Sequence, residues 1–70
     1  MIVYDNFNSS AIKSIKYDVN TKLLAIQFTS GGIYDYPEVP QDKVEGLINA
    51  ESAGRYFNQH IKQYSINKKY

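Results

Sequence analysis

The stretch from Ser52 to Tyr64 constrains the fold of this 70-residue chain more than any other part of it. Its apolar and aromatic residues recur at i, i+3, i+4, i+7, i+8 and i+11, which places them on one stripe of an α-helix. This stripe consists of Ala53, Tyr56, Phe57, His60, Ile61 and Tyr64. The other side carries Arg55, Asn58, Gln59, Lys62 and Gln63. We therefore predict one amphipathic helix with an apolar side for the core and a polar side for solvent or a partner.

Two residues in the first turn of this helix carry further information. Ser52 can cap the helix, because its hydroxyl can accept a hydrogen bond from an N–H group of the first turn. Gly54 costs about 1 kcal/mol relative to alanine inside a helix. We expect another segment of the chain to approach the helix closely at Gly54.

Three segments before the helices alternate between apolar and polar residues, the period of a half-buried strand. They are Ile12–Val19, Leu23–Phe28 and Ile33–Tyr36. Ile12 falls out of phase with Ile15, which indicates a bulge or a strand start between them. Turn-forming residues separate the segments, so consecutive strands are expected to pair as an antiparallel meander.

The loop before the third strand decides where Tyr34 and Tyr36 point. A two-residue turn would place Tyr34 on the less apolar face of the sheet. A three-residue loop, a type I turn followed by a left-handed glycine, would place both tyrosines on the face of Leu24. We favour the three-residue loop because it keeps Asp35 out of the core.

A first helix is predicted over roughly Gln41 to Ala50, after Pro40, with an apolar stripe of Val44, Leu47 and Ile48. The fold class is therefore α+β: a three-stranded antiparallel meander followed by two short helices packed on one face. The chain is a single domain over residues 1–70. Residues 1–9 form an N-terminal arm or a short edge strand, and residues 65–70 form a flexible tail.

Composition narrows the classes of function that we expect. The chain has no cysteine and one histidine, so neither a disulfide framework nor a metal site is expected, and we predict no cofactor. No segment approaches the roughly 20 apolar residues of a membrane span, so we expect no membrane partner and a cytoplasmic location. His60 lies on the apolar stripe, and no nucleophile or carboxylate pair is placed to act with it. We predict that the protein is not an enzyme.

The charge distribution is uneven although the net charge is only +1. Residues 52–70 carry four cations and no acid, which gives +4, whereas residues 1–51 carry four lysines and seven acids, which gives −3. A basic end of this kind can steer an anionic partner. A solvated helix face is the alternative explanation.

Several motifs occur together in a specific order from about Ser10 to Tyr64. They are Ser10 and Ile12, then residues 14–18 (SIKYD), Leu24, Ile26 and Phe28, Ser30-Gly31-Gly32, Tyr34-Asp35-Tyr36, Val39-Pro40, and finally Ser52, Gly54, Arg55, Phe57, Asn58, Ile61 and Lys62. In this arrangement the chain resembles the KTSC domain, a short module named from the C-terminus of some lysyl-tRNA synthetases and also found as stand-alone small proteins. That synthetase context implies RNA as a partner.

Seven residues are candidates for contact with RNA or another single-stranded nucleic acid: Tyr34, Tyr36, Arg55, Asn58, Lys62, Lys68 and Lys69. The tyrosines would stack on bases, and the cations would hold phosphates. Arg55 and Lys62 are seven residues apart, two helical turns, and would point the same way about 10 Å apart. The competing interpretation packs the tyrosines in the core. The alternative function is binding to another protein, or to a second copy of this chain through an exposed strand edge.

Overall fold

The structure, a computed structural model, describes residues 1–7, 9–62 and 64, and it places residues 67 and 68 in a strand. Its elements, in chain order, are β1 (Ile2–Tyr4), β2 (Ile12–Asp18), β3 (Leu23–Phe28), β4 (Ile33–Tyr36), α1 (Gln41–Asn49), α2 (Ala53–Tyr56), a π-helical turn (Phe57–Ile61) and β5 (Asn67–Lys68). Within these ranges, no helix has the length and apolar character needed to cross a lipid bilayer.

The strands form one antiparallel sheet in the order β1-β2-β3-β4-β5. The predicted α+β class is confirmed, but the prediction of three strands is wrong. β1 lies outside β2, and the two-residue β5 lies outside β4. β1 is the short edge strand that was one of the two alternatives for residues 1–9, whereas the two-residue β5 is too short for alternation to be recognised in a sequence. Of the predicted tail, residues 65, 66, 69 and 70 lie outside the described residues.

The first long strand contains the predicted irregularity. The register of β2 against β3 shifts between Ile12 and Ser14. This bulge lets Ile12 enter the core, where it is 1% exposed, although it is out of phase with Ile15. The bulge therefore adds a side chain to the core that strict alternation would have placed on the other face.

The hairpin between β3 and β4 has the predicted three-residue loop. The amide of Gly31 donates to the carbonyl of Phe28, and the amide of Phe28 donates to the carbonyl of Gly32, both at 2.9 Å. Gly31 has a φ of +103°, a conformation that glycine adopts without the steric cost of a Cβ. Consequently Tyr34 and Tyr36 lie opposite core residues of β3, as predicted.

Both helices cover the same face of the sheet. Among the described residues, twelve buried side chains form the core: Ile12, Ile15, Tyr17, Leu24, Ile26, Tyr36, Val39, Val44, Leu47, Ala53, Phe57 and Ile61. Val44 and Leu47 from α1 are completely buried, and Ile48 packs at the edge of the core, as the predicted stripe requires.

Candidate functional site

The last helical segment, α2 and the π turn, contains the polar residues that the sequence predicts for solvent or a partner. Ser52 caps it, because its Oγ accepts a hydrogen bond of 3.4 Å from the amide of Arg55. Three side chains of the predicted stripe are buried: Ala53, Phe57 and Ile61. Four polar side chains of the same segment are exposed, namely Arg55, Asn58, Gln59 and Lys62, and Gln63 lies outside the described residues. We call these four residues the helix face.

The segment is not the continuous α-helix that we predicted from Ser52 to Tyr64. α2 ends at Tyr56, and the π turn follows, closed by a hydrogen bond of 2.8 Å from the amide of Lys62 to the carbonyl of Phe57. A π turn spans one residue more per hydrogen bond than an α turn. The seven-residue spacing of Arg55 and Lys62 therefore no longer equals two α-helical turns, and the basis for expecting them to point the same way is removed. Single π turns inside helices are frequent at functional sites.

The glycine in the first turn has the neighbour that the sequence predicts. A Cβ at Gly54 would lie 3.4 Å from the Cβ of Ala11 and 4.0 Å from the Oγ of Ser9. The Ser9 hydroxyl also accepts hydrogen bonds from the amides of Ala11 and Ile12. An alanine methyl group here would thus make an ordinary van der Waals contact with the segment that leads into β2, so the approach is not close enough to require glycine.

The two tyrosines of β4 have different environments. Tyr36 is 1% exposed, and its ring meets Phe57 edge-on at a centroid distance of 5.5 Å. Burial, with a smaller contribution from the neighbouring Tyr34, raises the pKa of Tyr36 to about 12. Tyr36 is thus a core residue, and the prediction that it stacks on a base is wrong for this conformation because no face of its ring is accessible.

Tyr34 is half-buried at the margin of the core. Its ring contacts Phe28 edge-on at 5.5 Å, and Phe28 contacts Phe57 in the same manner at 5.4 Å. Two edge-on ring contacts therefore connect Tyr34, through Phe28, to Phe57 at the start of the π turn. The backbone pairing of β4 with β5 places Lys68 beside Tyr34 in register. Lys69 lies outside the described residues.

The predicted helix stripe also produces a contact between the two helices. Tyr56 and His60 are half-buried and lie ring to ring, with centroids 4.4 Å apart. The Tyr56 ring covers Gly46 of α1, where an added Cβ would meet its hydroxyl and lie 2.5 Å from its Cζ. Gly46 thus leaves the space that the Tyr56 ring occupies. Among the described residues, no group of three His, Cys, Asp or Glu side chains could hold a metal ion.

A cleft of about 160 Å³ lies on the other side of α2, between the N-terminal arm and the connection from α1. Its lining residues are Tyr4, Asn6, Phe7, Ile48, Ala50, Glu51 and Ala53. The rings of Tyr4 and Phe7 meet edge-on at 4.8 Å. None of these residues is a predicted site residue. Two aromatic residues three positions apart in the N-terminal arm were the available signal.

Comparison with known proteins identifies the family. The model of the KTSC domain matches residues 8–64, most of the chain. The chain belongs to the KTSC domain family. A KTSC domain protein from Yersinia pestis, known from its crystal structure, superposes with a TM-score of 0.88 at 34% sequence identity, covering 99% of this chain and 100% of that one.

Relatives of this KTSC chain occur in two sizes. An uncharacterised protein from Stutzerimonas stutzeri is 43% identical over 54 residues, which is 77% of this chain and 76% of that protein. A lysine–tRNA ligase from Nostoc punctiforme is 45% identical over 53 residues, which is 76% of this chain but 9% of the ligase. The KTSC domain is thus found both in short proteins and as a small part of a much larger one.

Proposed function

We propose that this KTSC domain is a non-catalytic binding module that holds single-stranded RNA on its helix face. One observation carries the proposal: Arg55, Asn58, Gln59 and Lys62 are all exposed on a segment that contains no acidic residue from position 52 to the end of the chain. The positive charge of such a segment attracts phosphates.

Each side chain of the helix face has a distinct role in this proposal. Arg55 and Lys62 contact phosphates, Arg55 in the bidentate geometry that a guanidinium allows and Lys62 as a point charge. Asn58 has both donors and an acceptor, so it pairs with a base edge or a sugar hydroxyl. Tyr34 offers the accessible part of its ring to one base, and Lys68 and Lys69 supply further positive charge.

The ligase relatives support RNA over other anions. The name of the relative from Nostoc punctiforme specifies tRNA, and the matching segment is a small part of that protein. The charge asymmetry of this chain supports the same partner, because a +4 end beside a −3 remainder orients a polyanion before contact. We place this binding in the cytoplasm, where RNA is available.

A titration of isotope-labelled protein with a single-stranded RNA octamer tests the proposal. We expect the amide signals of Arg55, Asn58, Gln59 and Lys62 to shift, and the variants Arg55→Ala and Lys62→Ala to weaken binding. Lys16→Ala is the matched control, because Lys16 is exposed on the sheet face opposite the helices, in register with Val3 and Ala25. Unchanged spectra at about millimolar RNA, a concentration above the usual range of nonspecific Kd values, would contradict the proposal.

The free edge of β1 favours a second candidate function, self-association. β1 is the terminal strand of the sheet, and its Val3 is 61% exposed. The β1 strand of a second copy, or a strand of another protein, could pair with this edge. We expect such a dimer to be insensitive to salt and to be broken by Val3→Lys. Sedimentation at increasing protein concentration would detect it.

A further inference from the structure

We propose that the cleft beside α2 is a base-recognition site that takes one amino-bearing nucleobase from an RNA strand held on the helix face. The proposal rests on the RNA-binding function proposed above. It adds a second contact region, formed by the N-terminal arm and the α1–α2 connection. It also predicts a preference among bases, which phosphate contacts alone cannot produce.

The size of the cleft limits what can enter it. At about 160 Å³ it is smaller than the roughly 300–1,000 Å³ of sites for drug-sized ligands and cofactors. A complete nucleotide cofactor does not fit this range, but a single planar ring does. The ribose and phosphate of such a unit would remain outside, which is the arrangement of a base inserted from a strand.

The lining of the cleft suits a planar heterocycle. Tyr4 and Phe7 provide two aromatic rings, and Ile48 and Ala53 provide aliphatic surface. Aromatic and aliphatic groups favour the faces of a base, whatever its identity. The faces of the ligand are therefore matched by the apolar part of the lining, and the selectivity must come from the polar part.

Glu51 gives the cleft its selectivity. A carboxylate only accepts hydrogen bonds, so the ligand edge that meets it must donate. The amino groups of cytosine, adenine and guanine are such donors, and acidic side chains accept from the cytosine amino group in known complexes. Uracil has a carbonyl in place of the amino group of cytosine, and its N3–H lies between two carbonyl oxygens that a carboxylate repels. The cleft is therefore expected to discriminate against uracil.

The cleft and the helix face lie on two sides of one helix. Ala53 lines the cleft from the buried side of α2, and Arg55 follows two residues later on the exposed side, at a rise of about 3 Å along the axis and about 200° around it. A strand with a phosphate at Arg55 would therefore pass around α2 to place a base in the cleft. This continuity favours RNA over a free nucleobase as the source of the ligand.

The test compares a cytidine octamer with a uridine octamer at the same salt concentration. The two pyrimidines have the same size and differ in the donor that Glu51 would accept from. We expect the cytidine octamer to bind about fivefold more tightly or better. We also expect shifts at Asn6, Glu51 and Ala53 with cytidine only, together with contacts between base protons and the Tyr4 or Phe7 ring.

Glu51→Gln is the decisive variant, because glutamine offers a donor as well as an acceptor and can accommodate uracil. We expect the cytidine preference to fall, with the uridine affinity unchanged or increased. Glu45→Gln is the matched control: it removes the same charge from an exposed position on α1 that does not line the cleft, and should keep the preference.

The outcomes separate the two proposals. A cytidine preference that Glu51→Gln abolishes and Glu45→Gln keeps supports the base-recognition site. Equal affinity for both octamers, with shifts confined to the helix face, overturns this site and leaves the RNA-binding function intact. Binding of neither octamer overturns both. A native-like spectrum of each variant excludes misfolding as the cause.

Discussion

The hydroxyl of Tyr17 donates a buried hydrogen bond of 2.5 Å to the carbonyl oxygen of Val39. Tyr17 lies on β2, and Val39 precedes α1 by two residues in the chain. Both side chains are at most 1% exposed. The bond therefore ties the middle of the sheet to the segment that leads into the first helix, and it satisfies a backbone acceptor that water cannot reach.

Tyr17→Phe should lower the free energy of unfolding by about 1–3 kcal/mol, because the carbonyl of Val39 loses its donor while it stays buried. Urea denaturation measures this as a lower midpoint with an unchanged slope. Tyr36→Phe is the control: it makes the same chemical change at another buried tyrosine of the sheet, and the Val39 carbonyl keeps its donor. Equal losses in the two variants would show that the Tyr17 bond adds nothing specific.

Stability should fall above about pH 10. Burial raises the pKa of Tyr17, with smaller contributions from Asp42 and Asp18, and it raises the pKa of Tyr36 to about 12. In the unfolded chain tyrosine titrates near 10, so the unfolded state releases protons that the folded state still holds. The stabilisation is complete below about pH 10 and is lost as the pH rises towards about 12.

Urea unfolding between about pH 8 and pH 11 checks this, because the change of the midpoint with pH reports how many more protons the folded state binds than the unfolded state. The midpoint should be steady in the lower part of this range and decline in the upper part. The decline should be shallower in Tyr36→Phe, which removes one of the two titrating groups. A constant midpoint throughout would contradict the burial of these hydroxyls.

Alanine should have different effects at two helical glycines. Gly54→Ala places its methyl group 3.4 Å from the Cβ of Ala11, an ordinary contact, so the better helix propensity of alanine should stabilise the protein by up to about 1 kcal/mol. Gly46→Ala would overlap the Tyr56 ring. That ring must move, which should cancel the gain and shift the ring signals of Tyr56 and His60. Thermal unfolding and one-dimensional NMR spectra distinguish the two variants.

Salt should weaken RNA binding with a slope set by the helix face. Each phosphate contact with a single strand contributes about 0.7 to the slope of the logarithm of affinity against the logarithm of salt concentration. Arg55→Ala and Lys62→Ala should each reduce that slope by about 0.7, and Lys16→Ala should leave it unchanged. Fluorescence anisotropy of a labelled octamer at several salt concentrations measures it. A salt-independent affinity would argue for an apolar interface instead.

The sequence predicts the centre of the sheet well because each central strand buries the side chains of one face only. The hairpin before β4 shows why: only the three-residue loop buries Tyr36 and keeps Asp35 on the opposite face, so patterning selects the register. The bulge after Ile12 was visible for the same reason. β1 was predicted only as an alternative to an irregular arm, and β5 was not predicted, since so short a strand depends on pairing with a neighbour that the local sequence does not encode.

The candidate site was only partly predictable. The exposure of Arg55 and Lys62 follows from helical periodicity, but the π turn depends on the packing of Phe57 and Ile61 against the sheet, which periodicity does not encode. The burial of Tyr36 could be established only from the fold, because a tyrosine on a sheet suits the core as well as a stacking platform. The cleft is lined by residues about 50 positions apart, such as Tyr4 and Ala53, and no local motif indicates that they lie close together.

Both margins of the sheet come from outside residues 8–64, the span that matches the KTSC model. A fragment trimmed to that span would lack Ile2–Tyr4 on one side and Asn67–Lys68 on the other, so β2 and β4 would become bare edges open to unintended strand pairing. The trimmed fragment would also lose Tyr4 and Phe7, and with them the aromatic wall of the cleft. Laboratory studies of ligand choice by this chain therefore need the flanking residues that a boundary drawn from the family match leaves out.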